Sequence, residues 1–219
     1  MKKEELNKIL DDHKLWIESK GEIGKRANLD EADLEGANLE GVDLYSAVLL
    51  DSNLKGANLI GANLKGAVLL DSNLRGANLK GANLKGANLQ GADLSGTDLE
   101  DVNLKGANLA YANLECANLK GANLKEVYFV GANLEGAKLK GAVLEGANLH
   151  DVNLKGADLR GANLSEAYLT STTLTGAKFT YEIRNVGHFS NCYITKDQLP
   201  WFALHPDFSR FSPTFNVSE

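Results

Sequence analysis

The sequence predicts an all-β solenoid with a four-sided coil, and two observations lead to this fold class. The first is a strict period of five: from Leu29 to Phe179, 31 consecutive fifth positions carry an apolar residue, which is leucine in all but two cases. The second is the type of residue found at fixed positions around each leucine. A small residue stands two positions before it, Asn or Asp usually stands one position before it, and glycine often stands two positions after it. So short and regular a period indicates a repeat architecture.

A step of five matches neither the 3.6-residue period of an α-helix nor the alternation of a β-strand. If each unit forms one short side and a corner, four units close a coil of about twenty residues, and coils stack at about 4.8 Å. The leucines then point to the axis, and the second inward position takes alanine because four leucines leave little space. We expect glycine and Asn or Asp at the corners, where backbone angles are unusual.

Units such as Ala-Asn-Leu-Lys-Gly and Ala-Asp-Leu-Arg-Gly, repeated without a break, resemble the pentapeptide repeat family. The resemblance covers residues 27–181. It implies a right-handed quadrilateral β-helix of about eight coils, on the order of 37 Å long.

Residues 1–26 are predicted to form an N-terminal capping α-helix and a linker, because an open solenoid end exposes strand edges and the apolar axis. The helix is predicted over residues 3–18, with Gly21 as its stop. Apolar and aromatic side chains recur there at helical spacing: Leu6, Ile9, Leu10, His13, Trp16 and Ile17.

Residues 182–219 are predicted to form a second, aromatic-rich cap at the C-terminal end. The aromatic residues are Phe189, Tyr193, Trp201, Phe202, Phe208, Phe211 and Phe215. The segment Thr195–Gln198 resembles a capping box that opens a short helix, which Pro200 limits. The same aromatic residues could instead form a dimer interface. We favour a monomer, with a dimer through this tail as the alternative.

The formal charge of -6 argues against a chain-wide attraction to nucleic acid or to anionic lipid. The start of the chain carries no continuous apolar segment, and no run of about 18 apolar residues occurs anywhere. We therefore expect a cytoplasmic protein that contacts neither a membrane nor nucleic acid directly. Cys116 and Cys192 are expected to be isolated, reduced thiols.

Outward positions twenty residues apart stack in columns, and one column is basic. Its members are Lys65, Lys85, Lys105 and Lys125, with Tyr45 before them and Glu145 after them. Charges about 4.8 Å apart repel within a Debye length. The column is a candidate site for a phosphate or an acidic partner; the alternative is a solvated ladder that protects strand edges.

A second outward surface is apolar: Val48 and Leu50 in one coil and Val68 and Leu70 in the next. We predict that these exposed side chains form a contact site. The alternative is that these side chains have no binding role and were copied when one coil was duplicated, because the segments that begin at residues 47 and 67 are near duplicates. Tyr111, Tyr128 and Tyr168 fall on or beside the same side of the coil, which favours a binding surface.

Catalysis is not expected. The four histidines are scattered over the helix, the rod and the tail, and the chain contains no metal-binding, phosphate-binding or nucleophile motif. The glycines follow the repeat, so glycine-rich strings arise from the period itself. We predict no catalytic residues, no cofactor and no bound metal.

The predicted function is a non-catalytic structural scaffold for protein–protein interaction, with an unidentified protein partner. The family resemblance implies an alternative, because some members bind type II topoisomerases such as gyrase and protect them by mimicking duplex DNA. This chain departs from that pattern, since its acidic groups form no continuous stripe and its array contains no inserted loop.

Overall fold

A computed structural model of the protein describes residues 1–180, 186, 190–198 and 215–218. Apart from the repeat array, it contains α-helix α1 (Lys3–Glu18), strand β1 (Cys192–Thr195), a 3-10 turn (Lys196–Gln198) and strand β2 (Phe215–Ser218). Strand β1 pairs in parallel with β2, with Cys192 opposite Phe215.

The array from residue 27 onward is a stack of coils in which each bridge joins residues twenty positions apart. Asn63, Asn83 and Asn103 illustrate this register, since each forms a parallel bridge to the next. The Leu84 N–H donates to the Asn103 carbonyl at 2.7 Å, and the Asn83 N–H donates to the Ala62 carbonyl at 2.9 Å. The coil therefore contains four five-residue units, as the sequence predicts.

Each corner is a β-turn whose third residue has a left-handed backbone conformation, as in a type II turn. In one example the Ala82 N–H donates to the Leu79 carbonyl, and Gly81 between them has a φ of 66°. Every residue at this position from Glu31 to Gly176 has a positive φ. Glycine adopts this conformation without steric cost, which explains its frequency there.

The prediction that Asn and Asp occupy corners is wrong for the residue before each leucine, because this residue forms a bridge along the side. It holds for four aspartates at the left-handed corner position, namely Asp51, Asp71, Asp101 and Asp151. The Asn83 Oδ1 accepts the Lys85 N–H at 3.2 Å and the Asn103 Nδ2 at 3.4 Å. The Asn83 Nδ2 donates to the Asn63 Oδ1 at 3.2 Å. Asparagine suits this position because one side chain both accepts a backbone N–H within its coil and donates to the preceding coil.

The solenoid axis is filled by leucine and alanine, which are almost all buried. Serine or threonine replaces the inward alanine at a few positions without leaving its hydroxyl unpaired. The hydroxyls of Ser52, Ser72 and Thr97 donate to carbonyls three residues earlier, at 2.8, 2.7 and 2.6 Å. The turn thus supplies the acceptor that a buried hydroxyl needs.

Helix α1 lies where the sequence predicts a helix, and it ends in a Schellman motif. The Gly21 N–H donates to the Trp16 carbonyl and the Lys20 N–H to the Ile17 carbonyl, with Lys20 at a φ of 57°. Leu6, Ile9 and Leu10 pack against the solenoid core. Within the described residues, no helix is long and apolar enough to cross a membrane.

His13 joins α1 to the first coil. Its ring is fully buried and stacks on Trp16, with 5.5 Å between ring centroids. The His13 Nδ1 accepts the Ala27 N–H at 3.0 Å, so this nitrogen carries no proton. A capping role for α1 stays a prediction, as do the boundaries of the three predicted segments.

At the other end of the array, β1 continues the stack through a bridge between Thr173 and Tyr193. The short helix expected at Thr195–Gln198 is the 3-10 turn that follows β1. The Gln198 Oε1 accepts the Thr195 N–H, and the Gln198 Nε2 donates to the Leu174 and Ala177 carbonyls at 2.8 and 2.9 Å. The predicted aromatic cap lies largely outside the described residues, namely Phe189, Trp201, Phe202, Phe208, Phe211 and the side chain of Phe215. The cap and the alternative dimer interface stay predictions.

The asparagine ladder yields a stability prediction. Asn83→Asp removes the amide donor to Asn63 and places a carboxylate oxygen against the Asn63 Oδ1, so it should destabilise the fold by about 1 to 3 kcal/mol. Asn88→Asp is the matched control, because the Asn88 Oδ1 accepts from Gln90 and Asn108 while Val68 beneath it offers no side-chain acceptor. Urea denaturation at neutral pH should show the larger loss for Asn83→Asp, and equal losses would contradict the ladder's contribution.

The packing of α1 is predicted to weaken in acid. Burial lowers the pKa of His13, Arg26 adds to this effect, and Asp43 opposes it. The unfolded chain therefore binds the proton more readily, and stability should fall as the pH drops from about 6.5 toward the lower pKa of the folded state.

Thermal denaturation across this pH range provides the measurement. His13→Gln should flatten the pH dependence, whereas His150→Gln, at an exposed position, should leave it as in the parent protein. A pH dependence that survives His13→Gln would show that another group is responsible.

Candidate functional site

The two outward surfaces predicted from the sequence flank a single corner of the coil. Lys65, Gly66, Ala67 and Val68 are consecutive, with Lys65 at the end of one side and Val68 at the start of the next. Ala67 between them points into the core. Because the register repeats every twenty residues, the lysine column runs along one edge of this corner, and the column of Val48 and Val68, which continues as Asn88 and Asn108, runs along the other.

The lysine column is only partly a row of unpaired charges. The Lys125 Nζ lies 2.6 Å from Glu145, and this hydrogen bond is the main cause that raises the pKa of Lys125. The Lys105 Nζ lies 3.6 Å from Glu126. The Lys65 Nζ lies 5.7 Å from the centre of the Tyr45 ring, within the range of a cation–π contact. Among the described residues, Lys85 has no ion-pair partner.

On other sides of the rod, many cations meet a carboxylate twenty residues away in the adjoining coil. Glu100 lies 2.9 Å from the Lys80 Nζ and 3.0 Å from the Lys120 Nζ. The hydrogen bond from Lys80, followed by that from Lys120, lowers the pKa of Glu100. Lys55 pairs with Glu35 in the same way. Such exposed pairs add little stability, but they neutralise the lysines that form them.

The corner beside the lysine column forms a shallow groove of about 390 Å³, which we call the lysine groove. Its wall consists of Lys65, Lys85 and Lys105, and its floor of the corner glycines Gly66, Gly86 and Gly106. Tyr45 and Glu126 mark its two ends. The sequence prediction did not include Tyr45 as a site residue, although its place twenty residues before Lys65 marks it as the preceding member of the column.

The predicted apolar patch is less exposed than the sequence suggests. Val48, Leu50, Val68 and Leu70 are all half-buried rather than exposed. Val48 and Val68 form a bridge to one another, so side chains in this column shield each other across the coil spacing. The patch is therefore a low apolar surface, not a row of projecting side chains.

The tyrosines on this side of the rod are the exposed part of the surface. Tyr111 is 65% exposed, and Tyr128 and Tyr168 are each 47% exposed. Tyr128 and Tyr168 stand in one column with Asn148 between them. Tyr111 occupies a corner, and its ring lies over Gly131: a Cβ on that glycine would lie 2.6 Å from the Tyr111 Cε1.

No catalytic constellation is assembled in the part of the chain that the structure describes. Burial raises the pKa of the Cys192 thiol to about 12, and the thiol donates to the Leu169 carbonyl, so the group is held in its unreactive protonated form. The described residues contain no cluster of three His, Cys, Asp or Glu side chains that could hold a metal ion. His188 and His205 lie outside the described residues.

Comparison with known proteins gives a consistent result. A family model for pentapeptide repeats matches residues 25–59, 52–91, 87–125, 128–165 and 147–180. No curated protein sequence matches the chain.

Several solved structures are similar. One is HetL, a pentapeptide repeat protein involved in heterocyst differentiation regulation from the cyanobacterium Nostoc sp. strain PCC 7120: it is 41% identical, covers 70% of this chain and 72% of its own, and has a TM-score of 0.40. Another is full-length QnrB1, a plasmid-mediated fluoroquinolone resistance protein, which is 19% identical over 88% of this chain and 92% of its own, with a TM-score of 0.50. The latter similarity bears on the fold alone.

The position of the Tyr111 ring can be tested with two glycine substitutions. Gly131 and Gly106 have φ values of 68° and 66°, so alanine at either should cost about 1 to 2 kcal/mol of backbone strain. A Cβ at Gly106 meets no atom within 4 Å, whereas one at Gly131 meets the Tyr111 ring. Gly131→Ala should therefore destabilise more than Gly106→Ala in urea denaturation, and it alone should shift the Tyr111 ring resonances in NMR spectra. Unchanged Tyr111 resonances in Gly131→Ala would contradict this ring position.

Proposed function

The chain belongs to the pentapeptide repeat family, and we propose that it is a non-catalytic scaffold that binds another protein through the outer sides of its coil. Members of the family with known structures fold as right-handed quadrilateral β-helices, and members are generally structural or interaction proteins without catalytic activity. The stacked twenty-residue coils described above agree with that architecture.

One observation carries the proposal: the apolar patch replaces the asparagine ladder in two successive coils. At the bridge position of a neighbouring side, Asn63, Asn83 and Asn103 are linked by side-chain hydrogen bonds. Val48 and Val68 occupy the equivalent position and can make no such bonds. Since the ladder stabilises the stack, its replacement by an apolar surface is better explained by contact with a partner than by stability.

The size of the surface supports a contact of moderate strength. Burial of apolar area contributes about 25 cal/mol per Å², but the four aliphatic side chains are already half-buried and have less area left to cover. Tyr128 and Tyr168 lie further along the same side of the rod. Tyrosine is enriched at protein interfaces, so a partner that follows the rod axis would cover both parts of the surface.

The second candidate function is a DNA mimic that acts on a type II topoisomerase such as gyrase. The rod-like solenoid and the formal charge of -6 favour it. The cross-coil ion pairs weigh against it, because Glu100, Glu135 and Glu145 each contact a lysine and so do not form a negative stripe. We therefore rank the scaffold first.

Substitutions in the apolar patch test the scaffold proposal. Leu50→Lys combined with Leu70→Lys should abolish recovery of a native partner in an affinity pull-down, because two charges would have to be desolvated at the contact. Leu70→Lys alone should reduce the affinity at least about tenfold. Ile60→Lys is the matched control, since Ile60 is also half-buried at the same repeat position but on another side of the coil.

Thermal denaturation should confirm that all three variants remain folded. Partner recovery by the double variant equal to that of the parent protein, together with inhibition of topoisomerase supercoiling by the parent protein, would reverse the ranking in favour of mimicry.

A further inference from the structure

Lysines in the lysine groove keep positive charge that carboxylates neutralise at several other lysines of the rod. Lys85 has a lysine on each side in its column, Lys65 and Lys105. Within the described residues Lys85 contacts no carboxylate at ion-pair distance, and Lys65 contacts only the Tyr45 ring. Adjacent like charges about 4.8 Å apart are unfavourable in the free protein, so an anionic group placed along the column would be favoured.

The groove floor offers few hydrogen-bond donors: the Ser46 hydroxyl lies over Gly66 at one end, and the rest of the floor is glycine backbone. A Cβ at Gly86 or Gly106 would meet no atom within 4 Å, so the floor is open there. The N–H groups of Gly66, Gly86 and Gly106 already donate to carbonyls of the next coil at 2.9 to 3.0 Å. A nest of free backbone N–H groups, which holds an isolated phosphate, is therefore absent from the groove. Recognition would depend on the lysine side chains acting together on a ligand with several negative charges.

The length of the groove limits how many negative charges of a ligand can lie beside its lysines. Lys65, Lys85 and Lys105 span two coil spacings, or about 10 Å. Beyond Lys105, carboxylates end the run of positive charge: Glu126 pairs with Lys105, and Glu145 pairs with Lys125. Three lysines could make fewer phosphate contacts than the roughly six to ten that can hold a protein on duplex DNA. A short row of about three carboxylates fits this length better than a nucleic acid: among the described residues, Lys65 and Lys85 have no carboxylate partner. At Lys105 the third carboxylate would replace or join Glu126 in an exposed, weak ion pair.

The spacing of the lysines matches an α-helix. Residues three or four positions apart in a helix are separated by about 4.5 to 6 Å along its axis, close to the coil spacing of about 4.8 Å. In an extended strand, side chains on one face are about 6.6 Å apart, so a third carboxylate would miss the third lysine by about 3.6 Å. A helix that lies parallel to the rod axis can therefore place one carboxylate near each lysine.

The opposite edge of the corner is apolar beside the first part of the groove, and it continues with Asn88 and Asn108 opposite Lys85 and Lys105. Val48 and Val68 stand on that edge, three residues after Tyr45 and Lys65 respectively. A helix in the groove would face the lysines on one side, and on the other side the two valines at one end of the groove and asparagines at the other end. The surface therefore fits an amphipathic helix in which acidic side chains adjoin apolar ones.

We propose that the lysine groove and the adjoining valines bind an amphipathic α-helix of a partner protein, whose Asp or Glu side chains recur every third or fourth residue. This inference rests on the proposed scaffold function and specifies the chemistry of the partner. It joins the basic stripe and the apolar patch into one binding surface around the corner at Gly66.

A designed peptide tests the inference by fluorescence anisotropy. The probe is an alanine-rich helix of about 15 to 20 residues, with glutamates at positions i, i+3 and i+7 and leucines on the adjoining face. Lys85→Glu should weaken its binding at least about tenfold. Lys140→Glu is the matched control: it makes the same change of charge at an exposed lysine on another side of the rod and should change the affinity by less than about twofold.

Four further probes decide between ligand classes: two peptides, duplex DNA and anionic lipid vesicles. A peptide with glutamine in place of glutamate should lose binding, and a proline-containing peptide of the same charge that remains extended should bind at least about tenfold more weakly than the helix. Equal weakening by Lys85→Glu and Lys140→Glu would overturn the inference. So would tighter, Lys85-dependent binding of duplex DNA or of anionic lipid vesicles.

Failure of this inference is distinguishable from failure of the scaffold function. If the helical peptide does not bind but Leu70→Lys still loses the native partner, the groove assignment is wrong and the scaffold proposal stands. If the peptide binds through Lys85 while the patch variants retain the native partner, the groove is a binding site but the contact proposed for the apolar patch is wrong.

Discussion

The structure depends on the hydrogen bonds between successive coils, which the left-handed corners make possible. Each corner turns the chain within three residues, and its positive φ returns the next alanine and leucine to the axis. The leucine N–H then meets a carbonyl of the next coil, as Leu84 meets Asn103. Because coils follow one another in this register, the backbone is satisfied without an ordinary extended sheet, and every side chain acquires a neighbour twenty residues away.

This register converts the sequence into columns of side chains on the outside of the rod. Identical residues in adjoining coils then either support one another or repel. Asparagine supports itself, since Asn83 donates to Asn63 and accepts from Asn103. Lysine repels itself unless a carboxylate alternates with it, as Glu100 does between Lys80 and Lys120. A column that keeps unpaired lysines, or that replaces asparagine with valine, lacks this favourable contact between coils. Such columns are therefore the candidate binding surfaces of the rod.

The corner beside the lysine column combines both features at one end, where Val48 and Val68 stand on its other edge. Its floor is open at Gly86 and Gly106, where glycine also occupies the corner of the preceding coil, whereas the Ser46 hydroxyl lies over Gly66. Where another residue occupies a corner, its side chain can cover the glycine of the next coil, as Tyr111 covers Gly131. The choice of glycine or a larger residue at a corner therefore controls both the local backbone strain and the access to the surface of the next coil.

The period of five by itself determined the solenoid and the inward leucines and alanines, because a coil of whole five-residue units places an apolar residue inward at every step. The membership of each outward column also required four units per coil, which the twenty-residue register of the bridges shows. The period wrongly assigned the Asn or Asp before each leucine to a corner, since these residues favour turns as well as side-chain ladders, although Asp does occupy corners such as Asp71 and Asp101. Only the tertiary structure decided which lysines are neutralised: Lys125 reaches Glu145 in its own column, whereas Lys105 reaches Glu126 at a corner of the next coil. It also decided that the basic and apolar columns share one corner and that the valines are half-buried. These properties depend on side-chain directions and on contacts between coils, which a linear period does not specify.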